Sequence, residues 1–353
     1  MQTKFRYLTA GESHGKCLTA IIEGVPAGFD IDEDFINSQL KLRQQGYGRG
    51  GRMLIEFDRV EITAGVRFGK STGAPISLVI QNADFANWEK VMSVNPKELT
   101  DEKSFTTYRP GHADFAGSEK YGHQDLRNVL ERSSARKTAI EVAVGAVAQL
   151  VLNEFNIVGS SKVVQVGCAC DENGFCKQID EAKTSGDTLG GKIKIVYENM
   201  PIGLGSYVHF DRKIDGILAQ AVMSIPAVKS VTIGVENVCE CLGSEYHDEF
   251  LIKEGKISRK TNNAGGVEGG MTNGEDLIIF AQMKPIPTLK KTLDSVDLKT
   301  MQEAKAHFER SDTCAIEACA VVAQARVACV LVDEFLKKYG SDSLKELKNN
   351  YEK

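Results

Sequence analysis

Two imidazoles stand in loops that glycine and proline constrain. His14 lies in Gly11-Glu-Ser-His-Gly15, and His112 in Tyr108-Arg-Pro-Gly-His-Ala-Asp114. Imidazole has an ordinary pKa of ~6.5, so either group can give or take a proton near neutral pH. Each also reads as a hydrogen-bonded structural residue when taken alone. Two in such settings, one of them beside an arginine, favour chemistry. His123, His209, His247 and His307 stand in less constrained contexts. Groups suited to anions accompany the first two. Arg132-Ser-Ser-Ala-Arg136 precedes an apolar helical stretch, where helix-start N–H groups, two hydroxyls and two guanidiniums would converge. Arg310-Ser311-Asp312 repeats that arrangement and adds an aspartate at a helix start. Lys284-Pro-Ile-Pro-Thr288 offers a charge and a hydroxyl on a stiff segment, and Asn262-Asn-Ala-Gly-Gly-Val-Glu-Gly-Gly270 offers bare backbone. Together these residues point to an enzyme acting on a small molecule that carries phosphate and carboxylate.

Three other patterns invite different readings. Gly11-Glu-Ser13-His-Gly15 fits the G-x-S-x-G of a hydrolase elbow, but that elbow needs a following helix. Here Lys16 to Gly24 reads as a strand ended by a turn. Gly46-Tyr-Gly48-Arg-Gly50-Gly51 fits G-x-G-x-x-G, yet it runs helix, glycines, strand, the reverse of a dinucleotide fingerprint. With Arg43, Arg49 and Arg52 nearby, spacing leaves open both a solvated loop and a loop presenting arginines to an anion. Cys168, Cys170 and Cys176, and separately Cys239 and Cys241, lack a C-x-x-C pair. The two C-x-C pairs, Cys168 with Cys170 and Cys239 with Cys241, read as small apolar side chains on one face of a strand, with no metal expected.

The elements that must position these groups are legible in outline. Residues 136–155 and 314–337 are rich in alanine and valine nearly all round, as helices inside a protein are. Both follow an Arg-Ser pair, contain Ala-Ile-Glu, and end in Asn or Asp before Glu-Phe, a weak sign of internal repetition because the spacings differ. Leu54-Ile-Glu-Phe-Asp-Arg-Val60 and Lys192-Ile-Lys-Ile-Val-Tyr197 alternate as half-exposed strands do. Asp30-Ile-Asp-Glu33 resembles a capping box opening a helix to about Gln45. Central helices covered by antiparallel sheets, an α+β layered arrangement, follow.

The composition narrows the classes further. The 353 residues carry a net charge of -5, which argues against a general nucleic-acid or anionic-membrane binder. The most apolar run, Cys314 to Val332, is broken by Glu317, Gln324 and Arg326 and falls short of a membrane span. No apolar export core opens the chain, so nine reduced thiols in the cytoplasm are expected. No linker separates independent domains.

Gly11-Glu-Ser-His-Gly15, Arg109-Pro-Gly-His-Ala-Asp114, Arg132-Ser-Ser-Ala-Arg136, Asn262 to Gly270 and Arg310-Ser-Asp-Thr-Cys314, in this order and spacing, resemble chorismate synthase. The resemblance spans residues 11 to 314 and implies one domain over 1–353, a β-α-β sandwich with central buried helices between antiparallel sheets. It implies the last step of the shikimate pathway, loss of phosphate from 5-enolpyruvylshikimate 3-phosphate to give chorismate. It also implies reduced FMN without net redox change, and a homotetramer. Carried over by motif, His14 would protonate the leaving phosphate. His112 would stabilise reduced anionic flavin, and Asp312 would shuttle a proton at flavin N5. Flavin contacts would fall on Arg132, Ser133, Ser134, Pro226, Ala227, Gly269, Lys284, Pro285, Ile286, Pro287, Thr288 and Arg310. Pro226 has no N–H, so it can offer only its carbonyl or packing. Arg43, Arg49 and Arg136 would meet a substrate or NADP phosphate. With no nicotinamide or flavodoxin module visible, an external flavin reductase is expected. A flavin reductase and a non-enzymatic phosphate binder remain as competing readings.

Overall fold

The structure, a computed structural model, describes residues 2–51, 57–309 and 311–353. Two four-stranded antiparallel sheets enclose a central layer of helices. The first sheet runs Arg6–Ala10, Cys17–Glu23, Ile76–Gln81, Val60–Ala64, and the second Val158–Val166, Gly191–Glu198, Leu277–Met283, Val228–Ile233. In each, the first and third strands of the chain form the edges and the second and fourth the middle. A helix joins the second strand to the third, Glu33–Gln44 in one half and Ile214–Met223 in the other. A long helix follows the fourth strand, Thr138–Asn153 and then Ile316–Tyr339. The two halves therefore repeat one topology, and both Ala-Ile-Glu sequences fall at the start of its long helix.

The sequence explains the layering. Thr138–Asn153 is buried at every position except Leu150 and Asn153, because sheet and helices cover it on all sides. Gly145 faces Ala325 of the second long helix, and a Cβ at 145 would overlap the Ala325 side chain and backbone. The two helix backbones thus meet where one residue has no side chain. Polar groups at the contact are satisfied. Gln324 Nε2 donates to Gln149 Oε1 (3.2 Å) and to the Gly159 carbonyl (3.0 Å), and Arg326 pairs with Glu141 at 2.7 Å. In Gly191–Glu198 the period of two puts Ile193, Ile195 and Tyr197 against the helices and the lysines outward. One apolar cluster runs through both halves. The start of the chain is fastened to its end, since Asp333 Oδ1 accepts from the N–H groups of Thr3, Lys4 and Phe5 at 2.7–3.0 Å.

Some local expectations are corrected. The N-cap of Glu33–Gln44 is Asp32, which accepts from the Asp34 N–H (2.9 Å), not Asp30. The strand expected over 54–60 begins only at Val60, where it pairs with Ile80; residues 54–56, with Arg52, lie outside the described residues. Cys168, Cys170, Cys239 and Cys241 are exposed and off the strands, so they are not packing groups on a sheet face. Among the described residues no helix is long and apolar enough to cross a membrane.

Candidate active site

His14 sits in the connection between the two strands Arg6–Ala10 and Cys17–Glu23, so no nucleophile-elbow helix follows Ser13. The loop is tied to the Arg127–Ser133 helix. Ser13 N–H donates to the Glu131 carbonyl (2.9 Å), and His14 N–H donates to Glu131 Oε2 (2.8 Å). His14 Nδ1 lies 2.8 Å from Glu131 Oε1. The ring stacks on Trp88 with centroids 3.8 Å apart, and Lys103 and Arg127 lie over the indole. Arg132 donates to the carbonyls of Gly11 (3.0 Å) and Thr9 (2.9 Å), fastening the same loop from outside. A cavity of about 480 Å³ opens here, lined among others by His14, Trp88, Lys103, Arg127, His307 and Glu309. Arg127 pairs with Glu309 at 2.7 Å. Burial alone would raise the Glu309 carboxyl. The hydrogen bond with His307 and the Arg127 charge outweigh it and hold the group at about 2.

Arg109-Pro-Gly-His112 closes a turn, with the His112 N–H donating to the Arg109 carbonyl (3.1 Å) and Gly111 at φ 80°. Proline second and glycine third are what a type II turn requires. The turn delivers His112 Nδ1 to within 2.7 Å of Asp114 Oδ1. Arg109 grips both Asp114 oxygens at 2.8 Å, and its Nη2 lies 3.0 Å from His112 Nδ1. Asp114 is fully buried, which opposes ionisation. The Arg109 and His112 hydrogen bonds prevail and hold its carboxyl far below the usual range. Lys284 Nζ donates to the Gly111 carbonyl, and the Lys284 N–H donates to the Ala227 carbonyl (2.9 Å). The 225–227 turn, the 284–288 segment and the His112 loop are therefore neighbours.

Arg49 lines a second cavity, of about 360 Å³, with Gly48, Gly50, Gly51, Lys183, Thr288, Lys290, Phe308, Ser311 and Asp312. Its Nε lies 3.1 Å from Asp312 Oδ2, and the Gly50 N–H donates to Asp312 Oδ1 (2.6 Å). Ser311 Oγ donates to the Thr288 carbonyl (2.8 Å). Asp312 lies four residues ahead of Ile316, so it stands in a loop and not at the helix start expected for it. Phe308 borders both cavities, with Glu309 on the first and Ser311 and Asp312 on the second. Arg310 lies outside the described residues.

Other expected site residues are engaged elsewhere. Arg43 and Arg136 are buried on either side of Asp58. Arg136 Nη1 pairs with it at 2.6 Å and Arg43 Nη1 at 3.5 Å, while Arg43 Nε donates to Thr138 Oγ1 (2.9 Å). Burial lowers the Arg43 pKa to about 10. Arg136 Nε donates to Asn82 Oδ1 (2.9 Å), and Asn82 Nδ2 donates to the Gly15 carbonyl (2.6 Å), so this pair underpins the His14 loop. The expected helix-start anion site at 132–136 is also altered. Arg132 and Ser133 close a preceding helix, where Ser133 Oγ donates to the Val129 carbonyl (2.7 Å); Ser134 Oγ accepts from the Arg136 N–H (3.3 Å). Gly269 occupies, with Gly270, the two-residue tip of a hairpin, Val267–Glu268 to Met271–Thr272, with φ of 59° and 84°. That hairpin packs by the start of the Ile214–Met223 helix, where the Ile214 N–H donates to the Gly270 carbonyl (2.9 Å).

Glu131, Trp88, Lys103, Arg127, His307 and Glu309 escaped the sequence reading. Trp88, the single tryptophan, stands in a polar stretch that suggests no core role, and that was the available signal.

An α+β sandwich that sets a carboxylate-bound imidazole and several guanidiniums at adjoining cavities, with a second carboxylate-bound imidazole in a nearby loop, is the frame of an enzyme. The chain belongs to the chorismate synthase family, whose sequence model matches residues 5–336. It is 54% identical over 349 residues to a chorismate synthase of Thermoanaerobacter pseudethanolicus, covering 98% of this chain and 97% of the relative. A chorismate synthase of Geobacter metallireducens is 48% identical, with 98% and 97% covered. A crystal structure of chorismate synthase, 37% identical, superposes with a TM-score of 0.80 over 100% of this chain and 97% of the other. The activity is that of a carbon–oxygen lyase, the last step of the shikimate pathway.

Proposed function

We propose that this chain removes phosphate and a C6 hydrogen from 5-enolpyruvylshikimate 3-phosphate with reduced FMN bound alongside, and that the two cavities meeting at Phe308 divide the labour. The observation that carries this reading is that shared wall: His14 lines the cavity on one side of Phe308 and the Arg49–Asp312 pair the cavity on the other. The residues fit the cofactor. Lys183 and Lys290 can neutralise a phosphate, and the bare backbone of 48–51 and the Phe308 ring suit a flat ring system. When bound, reduced FMN supplies electron density transiently and recovers it, so the reaction has no net redox change.

The chain's own groups do the rest. His14 gives a proton to the leaving phosphate. His112, with Nδ1 fixed on Asp114, supports the anionic form of the cofactor. Asp312 carries a proton at the flavin N5, after Arg49 turns from it to a substrate anion. Arg132, Ser133, Ser134, Pro226, Ala227, Gly269 and Lys284 to Thr288 are the proposed cofactor contacts. Arg43 and Arg136 would have to leave Asp58 before touching an anion, so of the three arginines Arg49 is best placed for it. We further propose one domain, a homotetramer, a cytoplasmic location and an external flavin reductase.

The test is incubation of the purified protein with 5-enolpyruvylshikimate 3-phosphate and chemically reduced FMN. Chorismate should form only with reduced flavin and without net flavin oxidation. Oxidation of flavin in step with product would favour a reductase, and binding without turnover a mere phosphate-ligand protein.

A further inference from the structure

We infer that Glu131 is a positioning residue for the proton donor, fixing which nitrogen of His14 delivers the proton. This rests on the reading of His14 as the acid. Glu131 reaches His14 twice, accepting from its backbone N–H at 2.8 Å and lying 2.8 Å from its Nδ1, while its own carbonyl holds Ser13. Its side chain is 4% exposed, so water does not compete for these contacts. Arg127, one helical turn earlier, pairs with it at 3.5 Å and holds it in place. With the His14 N–H and the Arg127 guanidinium already donating toward it, the Glu131 side chain is placed as an acceptor, so the Nδ1 facing it carries a hydrogen. The proton that is gained and lost then belongs to Nε2, at the opposite edge of a ring clamped on Trp88. In the reaction the C–O bonding pair departs with phosphate. The Nε2–H proton passes to a phosphate oxygen, and its bonding pair stays on Nε2. This is the logic by which a buried carboxylate orients a catalytic imidazole in other enzymes.

Two measurements test it. In full-length protein labelled with 15N-histidine, the ring of His14, identified by its loss in His14→Ala, should carry its hydrogen on Nδ1 when neutral. A neutral ring protonated on Nε2 would overturn the inference, whatever the variants do. In Glu131→Gln the amide keeps the shape but can donate to Nδ1 and invert the tautomer. Its kcat should fall roughly 10- to 100-fold with KM within about twofold, and adding Glu131→Gln to His14→Ala should cost nothing more. A wild-type kcat in Glu131→Gln, or losses that multiply in the double variant, would overturn the inference while leaving the acid in place. A wild-type rate in His14→Ala would overturn the acid assignment and this inference with it.

Discussion

At the scale of residues, the site is a set of charges that hold one another in defined protonation states. Glu309 and Asp114 both have carboxyls depressed in the folded protein, Glu309 from 4.5 to about 2. A depressed carboxylate stabilises the fold above its ordinary pKa and loses that contribution as pH falls through the folded value. Thermal melts should therefore show stability declining below about pH 4.5, and Glu309→Gln should flatten the decline between 4.5 and 2. An unchanged acid limb would mean that other groups govern it. His112 offers a second test. His112→Ala should shift the absorbance of bound reduced flavin as well as slow turnover. His112→Asn, which keeps a hydrogen bond to Asp114, should retain flavin better. The two loop histidines could be read from their own neighbours, because Gly11, Gly15, Pro110 and Gly111 advertise constrained backbone. Glu131 could not. It lies 117 residues from His14 along the chain and resembles any helical glutamate until the fold brings them together. His307, set aside for its ordinary context, lines the His14 cavity for the same reason.

At the scale of elements, the two long helices were the most legible feature, since only an interior helix tolerates alanine and valine on every face. The alternation at 54–60 was less informative. A period of two does not distinguish a paired strand from extended chain, and of the described residues 57–60 only Val60 is paired in the sheet. What no propensity could convey is how closely the helices cross. Gly145→Val should destabilise the protein by roughly 1–3 kcal/mol through overpacking against Ala325, read as a lower midpoint in denaturant with unchanged slope. Full stability would mean that the helices can shift apart freely. The 46–51 loop belongs to this scale too, because its shape is held by the second long helix and the segment before it. Tyr47 N–H donates to Glu317 Oε1 (2.8 Å) and Gly50 N–H to Asp312. Arg49→Ala should cost about 1.5–3 kcal/mol in kcat/KM, the worth of a charged hydrogen bond, with little change in Tm. Arg49→Lys should recover only part, lacking the forked guanidinium. A lowered Tm with intact kinetics would make the arginine a mere brace for the loop.

At the scale of the whole molecule, loops from both topological halves contribute to the adjoining cavities, so a ligand that seats in one orders walls of the other. FMN and substrate should bind cooperatively, and calorimetry should find FMN tighter when 5-enolpyruvylshikimate 3-phosphate is present. Identical affinities would show two independent sites. The hold of Asp333 on residues 3 to 5 has a consequence for how the chain is made. A ribosome releases the first strand into solution early, but its anchoring carboxylate is synthesised more than 300 residues later. Until the Ile316–Tyr339 helix emerges, the second sheet lacks its covering and the N-terminal backbone lacks its acceptor. The Ile316–Tyr339 helix is thus the clasp of the structure, and closure of the fold waits until that late segment is made.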